Sequence, residues 1–386
     1  MEYRNLKKQY QVLKERIDSA VEGVCTKATF IGGEPVNSLE KELADYVGVK
    51  RCVTCANGTD ALQLALMAWG VGAGDVVFVP DFTYFSSGEV VSAVGATPIF
   101  VDIDRRTYNL DSERLEEAVE KVKRAGKYQA KAVVAVDLFG LPADFTAIKK
   151  ICGKYDLLLL EDGAQGFGGE LNDRKACSFG DISTTSFFPA KPVGCYGDGG
   201  AVFTNNDEWY SLLRSYAVHG KGSSKYDNIR IGMNSRLDTL QAAILQIKLD
   251  AFKEHELSDI NKVAEVYTEK FRSAKAEEKG IVLPLIPEGY LSSWAQYTIQ
   301  LPEGYGEEGR AKLQKALKAK NIPAMIYYLK PMHRQGAFMG TDSAEADCTV
   351  TDELCSRVLS LPLDPYKTDE EIAEVVDTIM SYAKGF

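Results

Sequence analysis

The chain lacks the marks of several large protein classes. No apolar run approaches the roughly 20 residues that span a bilayer, and the opening stretch MEYRNLKKQYQVLKERID is charged and amphipathic, without the apolar core of a secretion signal. A basic excess is also missing. Against 55 acidic residues stand 45 Lys and Arg, for a net charge of -10. Nonspecific binding to nucleic acid or a membrane surface needs a basic footprint, so neither partner is expected, and the default location is cytoplasmic. Zinc-type cysteine spacing is incomplete. Cys52 and Cys55 form a CxxC in RCVTCANGTD, an apolar strand-like run entering a turn, but no second CxxC or neighbouring His pair completes a four-ligand set. Cys348 and Cys355 are too scattered to supply it. All eight cysteines therefore read as reduced thiols, and no metal is expected. Two nucleotide fingerprints are absent as well. GCYGDGG fails GxGxxG for want of its third glycine, and CANGTDALQLAL lacks the GxxxxGK[ST] order. A nicotinamide-dependent dehydrogenase is excluded on the first count.

What is present is an ordinary globular composition, 45% hydrophobic and 26% charged over 386 residues, a length that suits two unequal lobes. From about residue 50 to 205, short β-rich runs (CVTCA, DVVFVP, TPIFVDI, KAVVAVDLFG, DLLLLED, ISTTSFF, GGAVFTN) alternate with helical stretches such as DALQLALMAWG and DFTAIKKICGKY. That alternation predicts an α/β fold, a mainly parallel sheet between helices, with functional groups at the carboxyl ends of the strands. After residue 236, RLDTLQAAILQIKLDAFKEHELSDINKVAEVYTEKFRSA reads as long amphipathic helix. A second lobe follows, with strand-like AQYTIQL and AMIYYL and helical GRAKLQKALKAKN and DEEIAEVVDTIMSYAK. We place a large domain at 1–250 and a smaller α+β domain at 251–386.

Three segments carry candidate chemistry. The run DLLLL delivers Glu161 and Asp162 where the sheet meets a cleft, ahead of GAQGFGG; a turn or capping aspartate is the ordinary alternative. In CANGTDALQLAL, the turn Asn57-Gly58-Thr59-Asp60 feeds a helix whose free N–H groups and dipole suit a phosphate. Simple N-capping would explain the same residues. In SFFPAKPVGCYGDGG, Lys191 lies between an aromatic wall and glycines, held extended by Pro192. Burial disfavours an ammonium, and a neutral amine makes imines with aldehydes. Together, Gly58-Thr59, Asp162, Ser186 and Lys191 offer what pyridoxal phosphate needs: a lysine for its aldehyde, an anion for its pyridine nitrogen, and a helix start with hydroxyls for its phosphate.

FIGGEPVNSLEKELADYVG, CANGTDAL, EDGAQGFGG, SFFPAKPVGCYGDGGAVFTN and GMNSRLDTLQAAIL, in this order over essentially the whole chain, resemble the DegT/StrS group of fold type I, pyridoxal-phosphate-dependent nucleotide-sugar aminotransferases. The resemblance implies that Lys191 is the Schiff-base lysine, Asp162 the pyridinium partner and Gln165 the contact to the ring hydroxyl. Gly58, Thr59 and Ser186 match the phosphate ligands, and Tyr84 the aromatic stacked on the ring. Asn234 would reach the phosphate from a partner subunit, which implies a homodimer with its site at the interface, and Arg236 would touch substrate. The implied reaction is a ping-pong transfer from L-glutamate to a UDP- or dTDP-linked keto sugar, with pyridoxamine phosphate between the two halves. Such amino sugars serve polysaccharide or glycan biosynthesis.

The nearest branch is that acting on UDP-N-acetyl-3-oxo-hexuronate, which favours C3 over C4. Where that branch carries a histidine-tyrosine pair near the substrate carboxylate, PAMIYYLKPMH offers Tyr327-Tyr328, so a neutral keto sugar stays open. The loop HGKGSSKYDNIRIG, with His219, Lys221, Lys225 and Arg230, could neutralise a diphosphate or be an ordinary solvated loop. A sister group replaces the lysine by histidine and performs dehydration, which Lys191 argues against. The remaining alternative is a catalytically silent, pyridoxal-phosphate-binding regulatory protein of the same fold.

Overall fold

The computed structural model describes residues 1–224 and 226–382. Lys225 of the basic loop lies outside the described residues. The principal sheet uses β1 (Arg51–Cys55), β2 (Asp75–Pro80), β3 (Thr97–Val101), β4 (Gln129–Val136), β5 (Leu158–Asp162), β8 (Ile182–Ser186) and β9 (Gly200–Thr204). The short strands β6 (Glu170–Leu171) and β7 (Arg174–Lys175) join β10 (Tyr290–Leu291) in a small separate sheet. The seven strands run in the order β1-β9-β8-β5-β4-β2-β3. Pairing is parallel from β8 to β3, while β9 runs antiparallel to both neighbours. Helices cover both faces, so central strands are apolar on both sides: every residue from Ala132 to Val136 in β4 is buried. This is the mainly parallel α/β sheet that the alternating pattern predicts, and it agrees with the fold type I architecture that the resemblance implies.

Helices α1 (Leu6–Lys27), α2 (Glu34–Val47), α3 (Gly58–Ala68), α4 (Ser86–Ala93), α5 (Ser112–Ala125), α6 (Phe145–Tyr155) and α7 (Asp207–Tyr216) accompany the sheet. The long helix expected after residue 236 is real but not uniform. It runs as α8 (Thr239–Ala251), a π-turn over Phe252–Glu256, and α9 (Leu257–Ser273). Glu256, in that turn, is buried and accepts from Gln9 of α1.

A second core gathers residues of α9 with α10 (Gly306–Ala319), α12 (Asp369–Tyr382) and the antiparallel pair β11 (Tyr297–Gln300) and β12 (Val358–Leu361). The helix before β12, α11 (Thr349–Arg357), turns Leu354 and Cys355 into the core of the large sheet. One expected strand does not form. In AMIYYL only Met325 bridges to Ser360, and the chain then turns so that Tyr328 packs edge-on against Phe82, with ring centroids 5.7 Å apart.

The topology gathers strand ends on one edge. Both Cys55 and Ser186 pair with Gly200, so β1 and β8 end at the same level. Asp162 closes β5 beside them, opposite Thr184 of β8.

Candidate active site

At the end of β5 the two carboxylates part company, as successive residues of a strand must. Glu161 is consumed structurally: it accepts from the N–H groups of Phe179 and Gly180 and from the Ser183 hydroxyl, at 2.6, 3.1 and 2.7 Å. Asp162 is also buried, but its donors are fewer. Ser87 Oγ donates to its Oδ2 at 2.8 Å and the Ala164 N–H to its Oδ1 at 3.2 Å. Burial raises the pKa of Asp162; Ser87, Ala164 and the charge of Lys191 oppose the rise. Ser87 in turn exchanges a hydrogen bond with Thr83 at 3.0 Å, so a small hydroxyl relay from the start of α4 supports the carboxylate.

Lys191 sits in the loop after β8, its N–H bonded to Phe188 O at 2.8 Å. Its pKa is lowered, first by burial, with Asp162 pulling the other way and Arg4 adding to the fall. The ammonium is thus destabilised next to a carboxylate. Such an amine can act as nucleophile and proton carrier.

The turn between β1 and α3 forms a cup against β8. Asn57 caps the helix, accepting from Asp60 N–H at 2.8 Å, so the capping explanation holds for Asn57 and leaves Gly58 and Thr59 to be explained. A Cβ on Gly58 would lie 2.7 Å from Ser186 Cβ, and one on Gly200 would lie 2.5 Å from Asn57 O. Glycine lets the backbones approach. Thr59 Oγ1 lies 2.7 Å from Ser86 Oγ. The cup therefore presents a helix N-terminus with the hydroxyls of Thr59, Ser86 and Ser186, the chemistry that holds a phosphate.

Gln165 borders the same space. Its Oε1 accepts from Phe139 N–H at 2.9 Å and its Nε2 donates to the Tyr328 hydroxyl at 3.1 Å, tying it to the half-buried Tyr327-Tyr328 pair. Burial raises the pKa of Tyr328, and Gln165 opposes it. Tyr84 precedes α4 and is 59% exposed. Lys191, Asp162, Gln165, Ser186, Gly58 and Thr59 thus come to one edge of the sheet. Asn234 and Arg236 do not share their hydrogen bonds: both are exposed, flanking buried Ser235, whose Oγ accepts from Ala56 N–H at 3.1 Å. Arg236 lines a different cavity, with Gly33, Asn37 and Arg214.

Pyridoxal phosphate fits these residues. The cup has the hydroxyls, the close-approach glycines and the helix dipole for its phosphate, and Lys191 and Asp162 stand as amine and anion. The sequence reading missed Ser87 and Thr83. Their signal was modest, small hydroxyl residues just beyond the end of β2. Elsewhere, Asp81, His333 and Cys348 bring ligand-type atoms within 4.8 Å of one another. Both Asp81 oxygens already accept from His333, from its N–H at 2.8 Å and its Nδ1 at 2.7 Å, so that carboxylate is engaged.

The comparisons agree with this geometry. The model of the DegT/DnrJ/EryC1/StrS aminotransferase family matches residues 11–380. A UDP-2-acetamido-2-deoxy-3-oxo-D-glucuronate aminotransferase of Pseudomonas aeruginosa is 43% identical over 366 residues, 95% of this chain and 96% of that protein. A UDP-N-acetyl-3-dehydro-alpha-D-glucosamine 3-aminotransferase of Acidithiobacillus ferrooxidans is 37% identical over 381 residues, 99% and 97% of the two chains. Among solved structures, a DegT DnrJ EryC1 StrS aminotransferase from Brucella abortus superposes with a TM-score of 0.93 at 41% identity, covering 99% of each chain. With 370 of its residues under one model and relatives matched end to end, the chain belongs to the pyridoxal-phosphate-dependent DegT/DnrJ/EryC1/StrS aminotransferase family.

Proposed function

We propose that the protein transfers the amino group of L-glutamate to a keto carbon, C3 rather than C4, of a UDP- or dTDP-linked sugar for glycan biosynthesis. The carrying observation is the destabilised amine of Lys191 beside the buried carboxylate of Asp162. The names of the two relatives, both acting on 3-oxo sugars linked to UDP, support the position and the substrate class.

Bound in the cup, pyridoxal phosphate supplies an aldehyde for the amino group and a ring that stores the electron pair released at the donor carbon. The residues do the rest. Gly58, Thr59 and Ser186 anchor the phosphate end. Asp162, anionic and supported by Ser87, keeps the ring nitrogen protonated. Gln165 orients the ring hydroxyl side, and Tyr84 covers the ring face. Lys191 Nζ, its ammonium disfavoured by burial, would be the base that takes the proton from the donor Cα and the acid that gives it back, and on the sugar it would do the same in reverse. Arg236, Tyr327 and Tyr328 serve the substrate side. The alternative of a regulatory protein without turnover is not favoured, because the relatives matched end to end include several named as sugar aminotransferases.

The same reading includes a homodimer. The exposed Asn234 and Arg236, with the exposed Ile229 and Ile231 of the adjoining hairpin, then serve the site of a second copy. It also takes 1–250 as the cofactor-binding domain and 251–386 as the smaller one. A cytoplasmic setting is in keeping with eight unpaired cysteines; among the described residues no helix is long and apolar enough to cross a membrane. The test is stepwise. Holoprotein mixed with glutamate alone should release one equivalent of 2-oxoglutarate per subunit, and the loaded protein should then aminate one member of a panel of UDP- and dTDP-linked 3-keto and 4-keto sugars, identified by product mass and position. No keto acid from any donor tried would overturn the proposal.

A further inference from the structure

The N-terminal residues ahead of α1 lie against the active-site loop, and they bring a cation that the motifs do not account for. Arg4 Nη1 donates to Ala190 O at 3.1 Å, one residue before Lys191. The preceding Tyr3 packs edge-on against Tyr327, centroids 6.4 Å apart, and Tyr327 lies 5.8 Å from the ring of Tyr328. Residues 3 and 4 therefore form a wall that touches both the lysine loop and the tyrosine pair.

Arg4 is half-buried and, among the described residues, makes no ion pair. The acids nearest in charge are already engaged. Glu256 accepts from Gln9 Nε2 at 2.9 and 3.0 Å and from the Tyr366 hydroxyl at 2.5 Å. Asp364 pairs with Lys367 at 3.1 Å and accepts from Asn5 N–H at 3.1 Å. Two more cations share the neighbourhood. Lys191 and Arg4 repel each other, and buried Lys248 is pushed down to about 8, by burial first and then with Arg4 adding to the fall against the pull of Glu256. Burial lowers the pKa of Arg4, and the charges of Glu256 and Asp364 oppose the fall without forming an ion pair with it, so its fork keeps donors for an anion that arrives. Its planar fork suits a carboxylate.

We propose that Arg4 is the carboxylate-recognition residue of the substrate pocket, reading a carboxylate on the bound sugar or on the amino donor from the wall formed by Tyr3, Arg4 and Tyr327. This rests on the aminotransferase reading of the site. The phosphate cup is on the opposite side of Lys191 in role, since Ser186 and Gly58 already provide for the phosphate; what reaches the lysine loop from the tyrosine side is substrate. Such a cation also supplies what the Tyr327-Tyr328 pair lacks for a uronic acid.

The test is calorimetric binding to holoprotein, with no turnover needed. Wild type, Arg4→Gln and Arg4→Lys are titrated with UDP-N-acetylglucosaminuronate, with neutral UDP-N-acetylglucosamine, and separately with 2-oxoglutarate. Thermal midpoints and the cofactor's absorption spectrum show whether each variant is folded and loaded. Loss of about 10- to 100-fold in affinity for the uronate, with the neutral sugar unchanged and Arg4→Lys intermediate, assigns the sugar carboxylate. The same loss confined to 2-oxoglutarate assigns the donor carboxylate. Equal effects on charged and neutral ligands, or none on any, overturn the proposal. If wild type binds neither nucleotide sugar, the sugar reading fails on its own account, and the 2-oxoglutarate titration still decides Arg4.

Discussion

Replacing Ser87 by Ala isolates the support given to Asp162. Ser87 Oγ lies 2.8 Å from Asp162 Oδ2, both groups are buried, and the carboxylate's other hydrogen bond, from Ala164 N–H, is longer at 3.2 Å. A hydrogen bond to an ionised group is worth about 1.5–3 kcal/mol, and one pKa unit corresponds to about 1.4 kcal/mol. The substitution should therefore raise the pKa of Asp162 by about 1–2 units, in the same direction as burial. The anion is needed at the ring nitrogen. The acid limb of the pH dependence of kcat/KM with glutamate should then move to higher pH by about the same 1–2 units. Stability of the cofactor-free protein gives a second reading. A carboxylate whose folded pKa is raised contributes stability that is present below its unfolded pKa and lost as pH rises through the folded pKa. Without Ser87 that loss extends further, so urea denaturation should show a larger deficit for the variant at neutral pH than at acidic pH, where Asp162 is protonated in both. An unmoved acid limb with a pH-independent deficit would mean that Ser87 supports the backbone and not the charge.

Gly58→Ala should separate cofactor binding from folding. The added methyl lies 2.7 Å from Ser186 Cβ, an overpacking cost of about 1–3 kcal/mol, of which alanine returns up to about 1 kcal/mol in helix propensity; folding should lose at most about 2–3 kcal/mol, while affinity for pyridoxal phosphate, titrated by absorbance into the cofactor-free protein, should fall about tenfold or more. An unchanged affinity would dismiss the close-approach account of this glycine. Asp137→Asn tests a second buried acid. Its Oδ1 accepts from Ala143 N–H at 3.1 Å, no donor among the described residues reaches its Oδ2, and burial followed by the charge of Glu161 raises its pKa far above the ordinary aspartate range. Wild type should lose up to about 1.4 kcal/mol of stability per pH unit above that range on this account, and the variant should not. Denaturation midpoints at several pH values check it; parallel declines in both proteins would refute the assignment.

How much of this was legible in the chain depends on how local each signal is. The strands of the large sheet read clearly because helices bury both faces, which leaves continuous apolar runs such as AVVAV in β4 and LLL in β5. Asp162 reads clearly because it closes such a run, and Lys191 because it stands between SFFPA and a glycine-rich segment. AMIYYL has the composition of a strand too, yet Tyr328 is drawn to Phe82 and Gln165, partners more than 160 residues away that no periodicity records. Ser87 was missed for the same reason. Its function depends on Asp162, 75 residues on, and nothing in DFTYFSSGEV marks one serine over its neighbour.

Charge shows the same limit from another side. A net charge of -10 weighs against polyanionic partners, because long-range attraction to a polymer or a membrane follows the sum over the surface. A single small anion obeys a different rule. What matters to it is which few groups stand within a few ångströms in a medium that screens them weakly, and here chain segments beginning at residues 4, 191 and 248 bring Arg4, Lys191 and Lys248 to one neighbourhood. The acids nearby, Asp162, Glu256 and Asp364, hold hydrogen bonds or an ion pair of their own and, among the described residues, form no ion pair with the three cations. An acidic protein can thus hold a cationic pocket, and only the fold, by joining the N-terminus to the loop after β8, makes it visible.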